Sequence, residues 1–72
     1  MTEYIKIKGY GANARTLNYR VERTESYSIV GMETVYYGRR VRANNHLQGF
    51  GSEKLICTSG DLKFRRYQLE TR

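Results

Sequence analysis

Over residues 2–8, TEYIKIK, and again over residues 15–22, RTLNYRVE, apolar and polar side chains alternate with a period of two. Alternation of this kind places successive side chains on opposite faces of an extended chain, so each stretch can bury only one face and needs a sheet around it. In the first stretch Ile5 and Ile7 share a face, with Tyr4, Lys6 and Lys8 opposite. In the second, Leu17, Tyr19 and Val21 lie together, with Thr16, Asn18, Arg20 and Glu22 opposite. Between them Gly9, Tyr10, Gly11, Ala12 and Asn13 supply residues that accept the positive φ of a reversal. The two stretches are therefore expected to form an antiparallel hairpin.

The same reading continues along the chain. Arg23, Thr24, Glu25 and Ser26 form a polar reversal, and residues 27–30, YSIV, a short third strand ending at Gly31. Residues 33–42, ETVYYGRRVR, alternate so that Val35, Tyr37, Arg39 and Val41 face inward and Tyr36, Gly38, Arg40 and Arg42 face outward. A helix over residues 32–43 is the rival, because Met32, Val35 and Tyr36 fit its spacing; Gly38 and the β-branched and aromatic content weigh against it. Residues 43–52, ANNHLQGFGS, read as a long loop with Leu47 and Phe50 as its large apolar groups. Residues 53–58 and 62–70 flank Ser59, Gly60 and Asp61, which read as a tight hairpin connection. Within the last segment the phase changes, since Leu62 and Phe64 share one face and Tyr67 and Leu69 the other, as at a bulge or where a strand leaves the sheet. The expected fold is mostly β: a small antiparallel meander of about five strands with little or no helix, curled into an open barrel or covered by a second copy of itself.

A chain of 72 residues makes a single compact domain over residues 1–72 and buries only about 60% of the surface its unfolded form exposes, so the core is small. Self-association is one source of further stability. Disulfide and metal are not, because Cys57 is the one cysteine and His46 the one histidine, too few for an internal bridge or a closed zinc site. No cofactor is expected. The single cysteine suits a reducing, cytoplasmic setting, and without a basic start before an apolar run, or about 20 apolar residues in succession, no membrane partner is expected.

Catalytic groups are scarce. His46 sits among asparagines and reads as a solvated surface histidine; Cys57, within Leu55-Ile56-Cys57, reads as a small core residue. GYG and GFG, at residues 9–11 and 49–51, have neither Walker nor dinucleotide spacing, and the acidic residues are scattered singly. The chain does not read as an enzyme.

What it has in excess is positive charge and tyrosine: a formal net charge of +6, with 13 Lys and Arg against 7 Asp and Glu, and 7 tyrosines without tryptophan. Cations that neutralise phosphates and rings that stack on unpaired bases are the two halves of a nucleic-acid surface. Ordinary strand propensity, with tyrosine in strands and cations on edges, yields a similar alternation, so Tyr19 and Tyr37, on apolar sides, are assigned to the core. The remaining candidates are Lys6, Lys8, Tyr36, Arg40, Arg42, Lys63 and Arg65 as a basic stripe, and Tyr10 and Phe50, each held between glycines, as stacking groups. Arg39 fits poorly, since alternation points it toward the core. The expected partner is DNA or RNA, met through its backbone or as a single strand; the alternative is an acidic protein on which a small regulator or inhibitor docks.

Overall fold

The computed structural model describes residues 1–9, 11, 15–28 and 31–72, and of His46 the backbone alone. The expectations for Tyr10, Ala12, Asn13, Ile29, Val30 and the His46 side chain therefore lie outside the described residues. Strand β1 spans Glu3–Lys8, β2 Thr16–Ser28, β3 Met32–Arg42, β4 Asn45–Thr58 and β5 Tyr67–Thr71, with a 3-10 turn at Asp61–Lys63 before β5. All five strands belong to one open antiparallel sheet in the order β4-β3-β2-β1-β5. The mostly-β meander expected from alternation is what the chain forms.

The first hairpin forms as expected: Ile5 stands opposite Tyr19 and Ile7 opposite Leu17. Three other expectations fail. Residues 23–26 do not reverse the chain, because β2 runs on through them to Ser28, and Tyr27 and Ser28, assigned to a third strand, belong to it. The polar half of β2 is held extended by partners on β3, with Thr24 opposite Tyr36 and Glu25 opposite Val35, after a bulge between Val21 and Arg23. Nor are residues 43–52 a loop. Only Ala43 and Asn44 turn, β4 begins at Asn45, and register shifts along the β3–β4 ladder take up the irregular spacing, with Gly51 at φ +77.

The third failure is the last hairpin. The Thr58 N–H donates to Asp61 Oδ2 at 3.1 Å and the Asp61 N–H to Thr58 Oγ1 at 3.4 Å, so the chain winds into the 3-10 turn instead of folding back. Strand β5 then pairs with β1, placing Leu69 opposite Ile5 and Tyr67 opposite Ile7. The change of phase between Phe64 and Tyr67 marks the place where this strand begins.

The sheet curls, and the core shows how far. Ile5 and Cys57 are each 1% exposed and cluster with Ile7 and Tyr19, with Leu17, Val21, Tyr36, Ile56, Leu62 and Tyr67 packed around them. Cys57 is in β4 and Ile5 in β1, three strand spacings apart or about 14 Å on a flat sheet, so they meet only because the sheet rolls. Its inner face carries Ile5, Tyr19 and, opposite Tyr19, Arg40.

That inverts the expected faces of β3. Tyr36, Gly38, Arg40 and Arg42 belong to the inner face, and Val35, Tyr37, Arg39 and Val41 to the outer one, where Val35 and Val41 are nevertheless buried, as expected of them, at 8% and 3% exposed, apart from the cluster around Ile5. Alternation identifies which side chains travel together, but the direction of curl decides which set lies inside. Tyr36 accordingly packs on the core, and Tyr37 rests half-buried on the outer face. Gly38 is required by close approach: a Cβ there would collide with the carbonyl oxygen of Arg20 across the bulge.

Candidate nucleic-acid interface

On the outer face of β2, β3 and β4 the arginines are paired with carboxylates. Arg23 pairs with Glu25 and with Glu53, its Nε 3.0 Å from Glu53 Oε1, and its guanidinium lies 4.0 Å over the Tyr37 ring. Arg39 Nε meets Glu22 Oε1 at 2.7 Å, and its Nη1 donates to the Gly51 carbonyl at 3.2 Å. Arg20 also reaches Glu22 and donates to the Leu47 carbonyl at 2.8 Å, so its side chain crosses β3 on the way from β2 to β4. The Tyr27 hydroxyl donates to Glu25 at 2.6 Å. Hydrogen bonds from Tyr27 and then Arg23 hold the Glu25 carboxyl below its ordinary range, and the same carboxylate pushes the Tyr27 phenol up to about 12.

On the inner face, beyond the end of the core, the pattern differs. Arg40 stands opposite Phe50, with its guanidinium 5.4 Å from the ring centroid, and Arg42 approaches the same ring at 5.8 Å. Lys54 Nζ lies 5.7 Å from the Tyr19 ring. Among the described residues, none of Arg40, Arg42 and Lys54 has a carboxylate partner. Among the described residues, the buried Arg40 Nε has no hydrogen-bond acceptor. Phe50 is 43% exposed, and with Arg40, Gly51, Ser52 and Lys54 it lines a hollow of about 280 Å³. Gly51 leaves open space where a side chain would stand.

This cluster exists because β4 starts early. Pairing through residues 45–58 places Phe50 against Arg40, whereas a loop would have left the ring unfixed. Chemically, an exposed ring flanked by cations offers a platform for a flat conjugated group, with donors beside it for an anion.

The candidates read from the sequence separate into groups. Arg40, Arg42 and Phe50 come together as described. Lys8 and Arg65 lie by the β5 edge, where with Gly9, Phe64 and Arg66 they line another hollow, of about 400 Å³. Lys6 is on the outer face, 3.7 Å from Glu70, so it does not extend a stripe from Arg40. Tyr36 is half-buried on the core, and burial pushes its phenol pKa up. Lys63 is exposed on the 3-10 turn and lines neither hollow. Tyr10 lies outside the described residues.

Lys54, Ser52, Phe64 and Arg66 escaped sequence reasoning. Lys54 and Ser52 depend on the β3–β4 register, for which the sequence carries no local signal. Phe64 carried one, since KFRR sets an aromatic ring among cations.

Cys57 is a core residue, its thiol pushed up to about 11 by burial. Among the described residues, no group of His, Cys, Asp and Glu is arranged to hold a metal ion and no helix is long and apolar enough to cross a membrane. Comparison with known protein families, with curated proteins and with solved structures finds no match to this chain.

Proposed function

We propose that this protein is a small basic non-catalytic module that binds single-stranded nucleic acid through Arg40, Arg42, Lys54 and Phe50. The observation that carries this reading is the Phe50 ring, partly exposed between two guanidiniums that have no carboxylate partner among the described residues. A base stacks on the free part of the ring, contributing about 1–3 kcal/mol, while Arg40, Arg42 and Lys54 meet the adjoining phosphates. Sequence preference is modest, because every base has a π-face and the phosphates are uniform. The roll of the sheet also favours a flexible single strand over a duplex, since the cations stand on the inner face at the mouth of the curl.

The experiment is a salt titration of binding to labelled single-stranded DNA and RNA, with duplex forms as comparison. Affinity that falls steeply with salt and favours single strands supports the proposal; no binding, or binding indifferent to salt, refutes it.

One observation favours a second reading, in which the protein docks on another protein. Strand β4 is an outer strand of the sheet, and it exposes Leu47 (84%) and Leu55 (56%) together with Phe50. An open strand edge with exposed apolar side chains can accept a strand from a partner. Capture of partners from a lysate before and after nuclease treatment separates the readings: partners that persist after nuclease favour docking.

A further inference from the structure

The hollow at the β5 edge repeats the composition of the one at the β4 edge: a partly exposed phenylalanine, a glycine and cations. We infer that Lys8, Gly9, Phe64, Arg65 and Arg66 form a second site for single-stranded nucleic acid, taking a base on Phe64 and its phosphates on the cations, so that one protein holds two separated segments of a strand. This rests on the reading of Arg40 and Phe50 given above, but it uses different residues at the opposite edge of the sheet.

The second site is built by the 3-10 turn. The Phe64 N–H donates to the Asp61 carbonyl at 3.0 Å, and the Tyr67 N–H donates to the Phe64 carbonyl at 3.1 Å, so the backbone on both sides of Phe64 is fixed. The ring itself is 63% exposed. A large apolar ring held in water beside cations is a poor contributor to folding and a ready platform for binding. The Lys8 N–H donates to the Arg66 carbonyl at 2.8 Å, locking the end of β1 to the start of β5 and setting the two basic segments side by side. Arg66 lies 5.2 Å over the Tyr67 ring, and Gly9 leaves the backbone bare beside Lys8. Among the described residues, no acidic residue lines the hollow. Lys8 and Arg65 have no carboxylate partner among the described residues, and the nearby Asp61 is occupied with Thr58.

The geometry also explains why two sites would matter. Strands β4 and β5 are the two edges of the sheet, four strand spacings or about 19 Å apart on a flat sheet, a span that a short oligonucleotide can cover. A strand anchored at one hollow meets the other at high effective concentration, and joint occupancy can raise affinity by roughly 10²–10⁴ over either site alone.

The test uses two oligothymidylate probes, one short enough to occupy a single hollow and one long enough to span both. Isothermal titration should show the short probe binding twice to the wild type and once to either Lys8→Ala/Arg65→Ala or Phe64→Ala. On the long probe these variants should lose roughly tenfold or more in affinity, and the Lys8→Arg/Arg65→Lys variant should recover it. Circular dichroism and the thermal midpoint establish that the variants remain folded, and Phe64, being exposed, can be removed without emptying the core.

The inference is overturned if Lys8→Ala/Arg65→Ala and Phe64→Ala bind both probes as the wild type does. Loss of binding only in the Arg40→Ala/Arg42→Ala variant would overturn this site and leave the proposed function standing. Loss only at the β5 edge would do the reverse, and a wild type that binds neither probe overturns both.

Discussion

Arg39 and Arg40 are neighbours in sequence and opposites in circumstance. Arg39, on the outer face, is tied to Glu22 at 2.7 Å and to a backbone carbonyl of β4. Arg40, on the inner face, has the Phe50 ring beside it and no carboxylate partner among the described residues. The difference extends across both faces. Arg20, Arg23 and Arg39 share Glu22, Glu25 and Glu53, whereas Arg40, Arg42 and Lys54 lie beside aromatic rings. Net charge alone would have treated all of these cations alike. Where acids sit, and not where bases sit, decides which part of a basic protein is available to an anion.

Ile5→Ala should erase the comparison altogether. Emptying a fully buried site costs about 2–5 kcal/mol, against a total stability of roughly 0.05–0.15 kcal/mol per residue. Loss of the cooperative transition in thermal unfolding is the expected result; a midpoint near that of the wild type would show that the cluster around Ile5 is not the core.

Phe50→Ala should sharpen it. Removing the ring should weaken single-strand binding by about 1–3 kcal/mol, or roughly 5- to 150-fold, with little change in the thermal midpoint because the ring is partly exposed. Fluorescence anisotropy and a melting curve on one preparation check both halves.

Arg39→Ala should act the other way round. A surface ion pair contributes at most about 1 kcal/mol, so a small fall in stability is expected, with binding unchanged. A variant that binds appreciably more weakly than the wild type would show that the paired face also takes part.

The smallest effect is one of pH. The Glu25 carboxyl titrates below its ordinary value of 4.5 because Tyr27 and Arg23 bind its charged form. The stability it contributes is present above that ordinary value and is lost as pH falls through the lower, folded value. A slight drop in thermal midpoint over that acid range should vanish in Glu25→Gln. Binding at the arginine cluster should stay level over the same range, since guanidiniums remain charged throughout.

Much of this was readable along the chain, and the rest has definite physical reasons. Alternation found β1, most of β3 and the first half of β2, because a half-buried strand must repeat every two residues. It also sorted Tyr36, Arg40 and Arg42 from Val35, Tyr37 and Val41, while the choice of inner face belongs to the roll of the whole sheet. The polar end of β2 and the glycine-rich start of β4 looked like turns because what keeps them extended lies across the ladder: Arg23 on Tyr37, and Phe50 against Arg40. Pairing of β5 with β1 joins residues from opposite ends of the chain, beyond the reach of any local pattern. Arg39, the residue that fitted worst, fits once the faces are exchanged, for it lies on the outside with Glu22.

The most direct test of the account is the salt dependence of single-strand binding by the wild type, Arg40→Ala/Arg42→Ala and Arg39→Ala. Each phosphate neutralised contributes about 0.7 to the slope of log affinity against log salt, so the double variant should lose roughly 1.4 from that slope while Arg39→Ala keeps the wild-type value. Equal slopes in all three proteins, or an equal loss in both variants, would contradict the division between paired and available arginines.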